Sequence, residues 1–430
     1  MTQVNHIVAI DLGTSHLVGM VGSKNAQGKL SILAEEVEGS ASCIRRGCVF
    51  NVQDTAHRIT RLIQKLGNKI SSDYKIGKVY IGIGGQSLHT IDHTEMKTIN
   101  VNAVVTQEDI QILDGQCKGY KPEMFDVLNI SFPTYYVDGK KESNPVGVPC
   151  KRIEARYKLI VGHPSIRSHI KSCFDQIRNI RLAGITVSPL SLADTMLSQD
   201  EKELGCACVD FGAGVTSVVV YKGQQPGLLR VIPLGGSLIT KDLTNLKLLE
   251  SEAERLKIKY GSAIMNKEKD NPILSDTKDR IRLREIQTVV EARAIEIVEN
   301  VYAQIKYSGL MDQLGAGIVL AGGASALNNL QEYMQERFRQ QPVRFSTIQK
   351  EWMENEDNRM GDPLYMTAIS LLIKGTESCV KYTPSPTVEA PPVVEVPIRK
   401  KKGDGNQETQ GGNFFTRLFG GFVEDITNQD

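Results

Sequence analysis

Two aspartates stand out, because each closes an apolar run and opens a turn of small residues. Asp11 follows Ile7-Val8-Ala9-Ile10 and leads into Leu12-Gly13-Thr14-Ser15; Asp210 follows Ala207-Cys208-Val209 and leads into Phe211-Gly212-Ala213-Gly214. Such turns offer backbone amides and hydroxyls to a phosphate, an anion nest that needs no lysine. Carboxylates at the strand ends suit Mg²⁺, which keeps several waters and takes one or two carboxylates together with phosphate oxygens. A third glycine turn, Gly322-Gly323, follows Gly317-Ile318-Val319-Leu320-Ala321 and leaves bare backbone for a flat adenosine. Any one of these is also what a plain strand-ending turn looks like. Three in one chain, two with Asp in matching positions, favour a nucleotide cleft. The chain has neither a Walker loop nor a Rossmann fingerprint opening a βαβ unit, so the usual phosphate motifs do not compete.

These turns need strands to carry them. Apolar runs at 7–10 and 17–21 flank the first turn and runs at 207–209 and 218–221 flank the second, so each reads as a β-hairpin. The repeat of strand, Asp, apolar residue, Gly, small turn and strand, about half a chain apart, points to two related α/β units facing each other. Helical periodicity at 53–66 puts Ala56, Ile59, Leu62 and Ile63 on one face, and residues 165–180, 248–260 and 280–308 read as further helices. Thr106 is the expected N-cap of another. Residues 78–83 read as a short strand, and 125–162 as strands separated by the turns Val137-Asp138-Gly139-Lys140 and Asn144-Pro145-Val146-Gly147. After Gly322-Gly323 a helix is expected.

At 430 residues two or more domains are expected. Lys+Arg 51 against Asp+Glu 50 leaves a net charge of +1, so no overall field draws nucleic acid. The eight cysteines contain no CxxC pair, and Cys206 and Cys208 read as small core residues in a reduced, cytoplasmic setting. No signal peptide and no run approaching a spanning helix are visible, so membrane contact is expected to be peripheral. Residues 383–412 are rich in Pro, Glu, Lys, Gly and Gln and read as a disordered linker. Beyond it, at 413–426, Phe414, Leu418 and Phe422 recur every four residues beside Phe415, Phe419 and Val423. That is one broad apolar stripe, with Arg417 and Glu424 outside it and Arg399-Lys400-Lys401-Lys402 upstream. The pattern predicts an amphipathic helix for a lipid surface.

The set Asp-x-Gly-Thr, Asp-x-Gly-x-Gly and apolar-x-Gly-Gly resembles the actin, Hsp70 and sugar-kinase superfamily. Within it, IVAIDLGTS (7–15), Arg46-Gly47-Cys48-Val49, DEKELGCACVDFGAG (200–214), Asn144-Pro145-Val146-Gly147 and GIVLAGGAS (317–325) resemble the FtsA family of bacterial cell-division proteins. The likeness covers about residues 5–380 and the tail tip. It implies an α/β, actin-like fold of duplicated ribonuclease-H-type domains around a nucleotide cleft. The first core would comprise 1–84, 164–195 and 360–382, with a small α+β subdomain inserted at 85–163; the second core would comprise 196–235 and 310–359, with an outer subdomain at 236–309.

What the likeness implies for the site follows residue by residue. Phosphate contacts fall on Gly13, Thr14, Ser15, Gly212, Ala213 and Gly214, with Gly235 and Gly236 beside them. Gly322 and Gly323 border adenosine, Glu254 and Lys257 reach ribose and adenine, and Asp11 and Asp210 hold Mg²⁺ through water. Ligands would be ATP and Mg²⁺. Partners would be the C-terminal peptide of FtsZ around Arg293, further copies of the chain in filaments, inner-membrane lipid through Phe414, Phe415, Leu418, Phe419 and Phe422, and other division proteins at 85–163. The implied place is the cytoplasmic face of the inner membrane at the division septum. One departure stands out: Val187-Ser188-Pro189-Leu190 carries a serine where many actin-like ATPases orient water with Glu or Gln, so slow hydrolysis is expected. A sugar kinase of the superfamily and a related pilus-assembly protein are the alternatives.

Overall fold

The apolar run before Asp11 forms the strand Asn5–Leu12, which pairs antiparallel with His16–Lys24 and parallel with Lys78–Ile83. Leu30–Gly39 and Arg181–Val187 complete a five-stranded sheet. The helix Val52–Lys69 lies on one face. Asn51 caps it by accepting from the Asp54 amide at 3.0 Å, and Ala56, Ile59, Leu62, Ile63 and Leu66 are buried beneath it. Leu62 rests on bare backbone at Gly19, where any Cβ would collide with it. The computed structural model describes residues 5–383 apart from 41–42, 101–102, 266–269, 276–279 and 340.

The second half repeats this pattern strand for strand. Cys206–Phe211 pairs antiparallel with Thr216–Lys222, which pairs antiparallel with Gln225–Ile232; on its other side Cys206–Phe211 runs parallel to Ile318–Ala321, and that strand runs parallel to Val343–Phe345. The expected hairpins are therefore the first two strands of two five-stranded units with one topology, the duplicated ribonuclease-H-type arrangement. Cys206 and Cys208 are buried, as small core residues.

The second sheet continues past its edge. Arg230 of Gln225–Ile232 bridges to His89, and the Leu229 amide donates to Thr90 Oγ1 at 2.6 Å, joining His89–Thr98 to the sheet. Arg152–Gly162, Thr134–Val137 and Lys140–Glu142 follow outward, with Asp126–Ile130 also on Arg152–Gly162. The helix Gln107–Gly119 packs here, capped by Thr106 through a reciprocal capping box with Asp109.

Some expectations need correction. The helix expected over 165–180 is Ser165–Asp175, because Asn179 turns left-handed (φ 64°) before the next strand starts. Gly322-Gly323 leads into a 3₁₀ turn, Gly323–Ala326, and an α-helix begins only at Leu330, after a second left-handed residue, Asn329. Glu250–Tyr260 and Leu283–Tyr307 fall within their expected spans. The apolar stripe of Phe414, Phe415, Leu418, Phe419 and Phe422 and the linker before it lie outside the described residues. Among the described residues no helix is long and apolar enough to cross a membrane.

Candidate nucleotide cleft

Each aspartate sits near the end of the first strand of its five-stranded unit, and the turns that follow meet. A Cβ added to Gly214 would lie 2.5 Å from Thr14 Oγ1, so only glycine lets the second turn approach the first. The second turn is braced from behind: the Gly236 and Ser237 amides donate to the carbonyls of Gly212 and Ala213 at 2.9 and 2.8 Å, and Ser237 Oγ donates to the Ala213 carbonyl at 2.6 Å. Gly235 and Gly236 thus stand against Gly212 and Ala213, opening the helix Gly236–Leu243. The third turn presses on Asp210: Gly322 has φ 82°, and a Cβ there would collide with Asp210 Oδ1 and the Phe211 backbone. Gly323 is exposed with open space where a side chain would be. In the first turn Gly13 packs against the His16 carbonyl, Thr14 is half-buried and Ser15 exposed.

The two carboxylates face each other closely enough to interact. Burial pushes Asp11 up to about 7; repulsion from Asp210 adds to the rise, and the bond from Ser188 Oγ to Asp11 Oδ1 at 3.1 Å opposes it. Burial likewise raises Asp210 to about 6. Among the described residues no countercharge acts on this pair, and a cation beside it would relieve both desolvation and repulsion. The donor set fits hydrated Mg²⁺ better than a caged metal, since two carboxylates leave most of the shell to water and phosphate. Among the described residues no cluster of three or more His, Cys, Asp or Glu could hold a metal alone.

Glu254 and Lys257 lie on Glu250–Tyr260 beside this cleft. Lys257 Nζ donates to Glu254 Oε2 at 2.6 Å, to Thr240 Oγ1 at 2.9 Å and to the Gly236 carbonyl at 3.2 Å, while Thr240 also bonds Glu254. The lysine therefore reaches the base of the Gly235-Gly236 turn. Arg293 lies apart from these turns, on Leu283–Tyr307: its Nε donates to Asp242 Oδ2 at 2.6 Å and its Nη1 to Glu296. Sequence reasoning did not single out Ser237 and Thr240, and it marked Gly47 only within Arg46-Gly47-Cys48-Val49, without the bond its amide donates to Thr14 Oγ1 at 3.0 Å.

Paired sheets of one topology, with aspartate-bearing turns meeting between them, define an actin-like protein. A family model described as "Cell division protein FtsA" matches residues 207–370. The cell division protein FtsA of Porphyromonas gingivalis is 33% identical over 389 residues, covering 89% of this chain and 81% of that one. Its counterpart in Neisseria meningitidis serogroup B is 29% identical over 382 residues, covering 86% and 90%. The chain belongs to the FtsA family of cell-division proteins. In fold alone it is also similar to a chain of a PilM–PilN type IV pilus biogenesis complex, with TM-score 0.61, 14% identity and coverage of 86% of this chain and 98% of that one.

Proposed function

We propose that the chain is an ATP-binding adaptor that polymerises and fastens the FtsZ ring to the cytoplasmic membrane. The observation that carries this reading is the meeting of the two aspartate-bearing turns, with Gly214 against Thr14. In it, Gly13, Thr14 and Ser15 hold the phosphates from one side and Gly212, Ala213 and Gly214 from the other. Gly322 and Gly323 border adenosine, Gly235 and Gly236 shape the second turn, and Lys257, steadied by Glu254, approaches the ribose and base. Asp11 and Asp210 hold Mg²⁺ through its waters; bound there, the ion offsets phosphate charge. Ser188 cannot take up a water proton as a carboxylate does, so turnover is slow and ATP chiefly holds the two halves together. Residues 236–309 receive the C-terminal peptide of FtsZ near Arg293, and residues 85–163 contact other division proteins.

In the same reading, residues 413–426 are the membrane anchor at the cytoplasmic face of the inner membrane, at the septum. Burying Phe414, Phe415, Leu418, Phe419 and Phe422 gives a gross gain of about 1.5–3 kcal/mol each. Helix ordering takes back much of this, and Gly420 and Gly421 cost about 1 kcal/mol each. One chain therefore binds weakly, and a filament presenting many tails binds firmly. Flotation on anionic vesicles tests the reading: the full chain with ATP–Mg²⁺ rises with the lipid, and a Phe415→Glu/Phe419→Glu variant stays at the bottom. Equal flotation of the two removes the tail from the anchor.

A further inference from the structure

A cavity of about 630 Å³ opens between the two halves beside the paired turns. One wall is the tight hairpin of Ile44–Arg45 and Cys48–Val49 with Phe50 and Gln86; the other is Lys241, on the helix Gly236–Leu243. Three lining side chains are cationic and none is acidic. Arg45 lies over the Phe50 ring at 3.5 Å, and Arg46 donates to Gln86 Oε1 at 3.2 Å. Among the described residues, neither arginine nor Lys241 pairs with a carboxylate. Like charges gathered without counterions repel, so an anion is the occupant that suits them.

The hairpin turn sets the place of Arg46, and Arg45 sits on the strand before it. Arg46 has φ 48° and Gly47 φ 71°, and a Cβ on Gly47 would lie 2.6 Å from the Gly85 amide nitrogen. Positive φ at both central residues is the geometry of a tight two-residue hairpin turn, and the crowding at Gly47 against Gly85 fixes where that turn sits. Both walls are also tied to the cleft. The Gly47 amide donates to Thr14 Oγ1 at 3.0 Å, and the Gly236 amide, at the start of Lys241's helix, donates to the Gly212 carbonyl at 2.9 Å.

We infer that this cavity is a phosphoryl-binding site spanning both halves, with Arg45 and Arg46 gripping the oxygens from one side and Lys241 from the other. Guanidinium forks suit phosphate oxygens, and an ammonium adds a compact charge opposite them. The inference rests on the nucleotide reading of the cleft, and it names which side chains beyond the turns sense an extra phosphate. That phosphate is either the terminal group of a bound nucleotide or free inorganic phosphate.

Calorimetry on the full-length chain separates these. Wild type, Arg45→Gln/Arg46→Gln and Lys241→Gln are each titrated with ADP and with a non-hydrolysable ATP analogue, and with inorganic phosphate in the absence and presence of ADP. ADP affinity stays at the wild-type value in both variants, which also reports an intact fold. If the cavity takes the terminal phosphate, analogue affinity falls roughly tenfold or more in each variant. If it takes free phosphate, phosphate affinity falls by that factor instead. Analogue and phosphate binding both matching wild type in the variants overturns the site while leaving the nucleotide reading standing. Phosphate bound through these residues by a chain that takes neither nucleotide upholds the site and overturns the nucleotide reading. No binding in any arm overturns both.

Discussion

The two halves share a strand topology, yet their turns are built differently. The first turn carries hydroxyls: Thr14 accepts from the Gly47 amide, and Asp11 before it accepts from Ser188. The second is glycine and alanine, braced by the Gly236 and Ser237 amides and by Gly322 pressed on Asp210. One half thus supplies polar side chains and the other supplies closely approaching backbone. The outer parts differ as well. A β-rich segment continues the second sheet through His89–Thr98, whereas helices crowd residues 236–309.

The largest expected effect tests whether both halves serve one ligand. Asp11→Ala and Asp210→Ala each lower ATP–Mg²⁺ affinity on the order of 10- to 100-fold, about 1.4–2.8 kcal/mol, by calorimetry. Unchanged affinity in both variants removes the aspartates from the site. The glycines sharpen the comparison. Gly214→Ala puts a methyl against Thr14, across the halves, whereas Gly322→Ala puts one against Asp210 and Phe211, within the second half. Gly322→Ala, strained at φ 82°, lowers unfolding stability by about 1–3 kcal/mol. Gly214→Ala chiefly costs nucleotide affinity, and because Thr14→Ala removes the two nearest atoms, the double variant loses less than the two single losses added. Independent effects in that double variant mean that the turns do not press together.

Much of this was legible in the sequence, because it was local. Both Asp-containing hairpins, the Thr106 cap and the apolar face of Val52–Lys69 depend on neighbours within a few residues. His89–Thr98 was not legible: HTIDHTEMKT has one half-buried face and little apolar alternation to announce a strand. Nor was the bond from Ser188 to Asp11, made between residues 177 apart. Sequence marked Ser188 for what it could not do to water, and the structure adds what it does to a carboxylate. Arg293 was singled out only by the family likeness, with no sign of Asp242, which is 51 residues away.

The raised carboxyls give a pH test that treats the halves separately. Burial holds the folded Asp11 carboxyl at about 7 against an ordinary 3.8, so folding takes up a proton between those values. Its contribution to stability is therefore present at low pH and is lost as pH rises from about 4 to about 7. Asp210 follows the same sign up to about 6. Asp11→Asn, which cannot ionise, gains on wild type as pH rises through this window, and its advantage levels off above about 7. Thermal melts of the metal-free chains at stepped pH check this. A difference that does not vary with pH means that folding leaves the Asp11 carboxyl's proton affinity unchanged.

The smallest effect concerns the helices that only the second half carries. Arg293 is half-buried and already shared by Asp242 and Glu296, so a carboxylate of an FtsZ tail would compete with an existing ion pair. Pairs of this exposure contribute about 1 kcal/mol or less, which leaves the arginine recruitable. Arg293→Glu removes the pair and the cation together, so lost co-pelleting with FtsZ would not by itself distinguish docking from misplaced helices. Asp242→Asn removes the same internal pair and leaves the guanidinium in place. The docking role requires Arg293→Glu to weaken co-pelleting several-fold, while Asp242→Asn matches or exceeds wild type; ATP affinity stays constant in both. Equal losses in the two variants would make Arg293 a strut between Gly236–Leu243 and Leu283–Tyr307, with the peptide seated elsewhere.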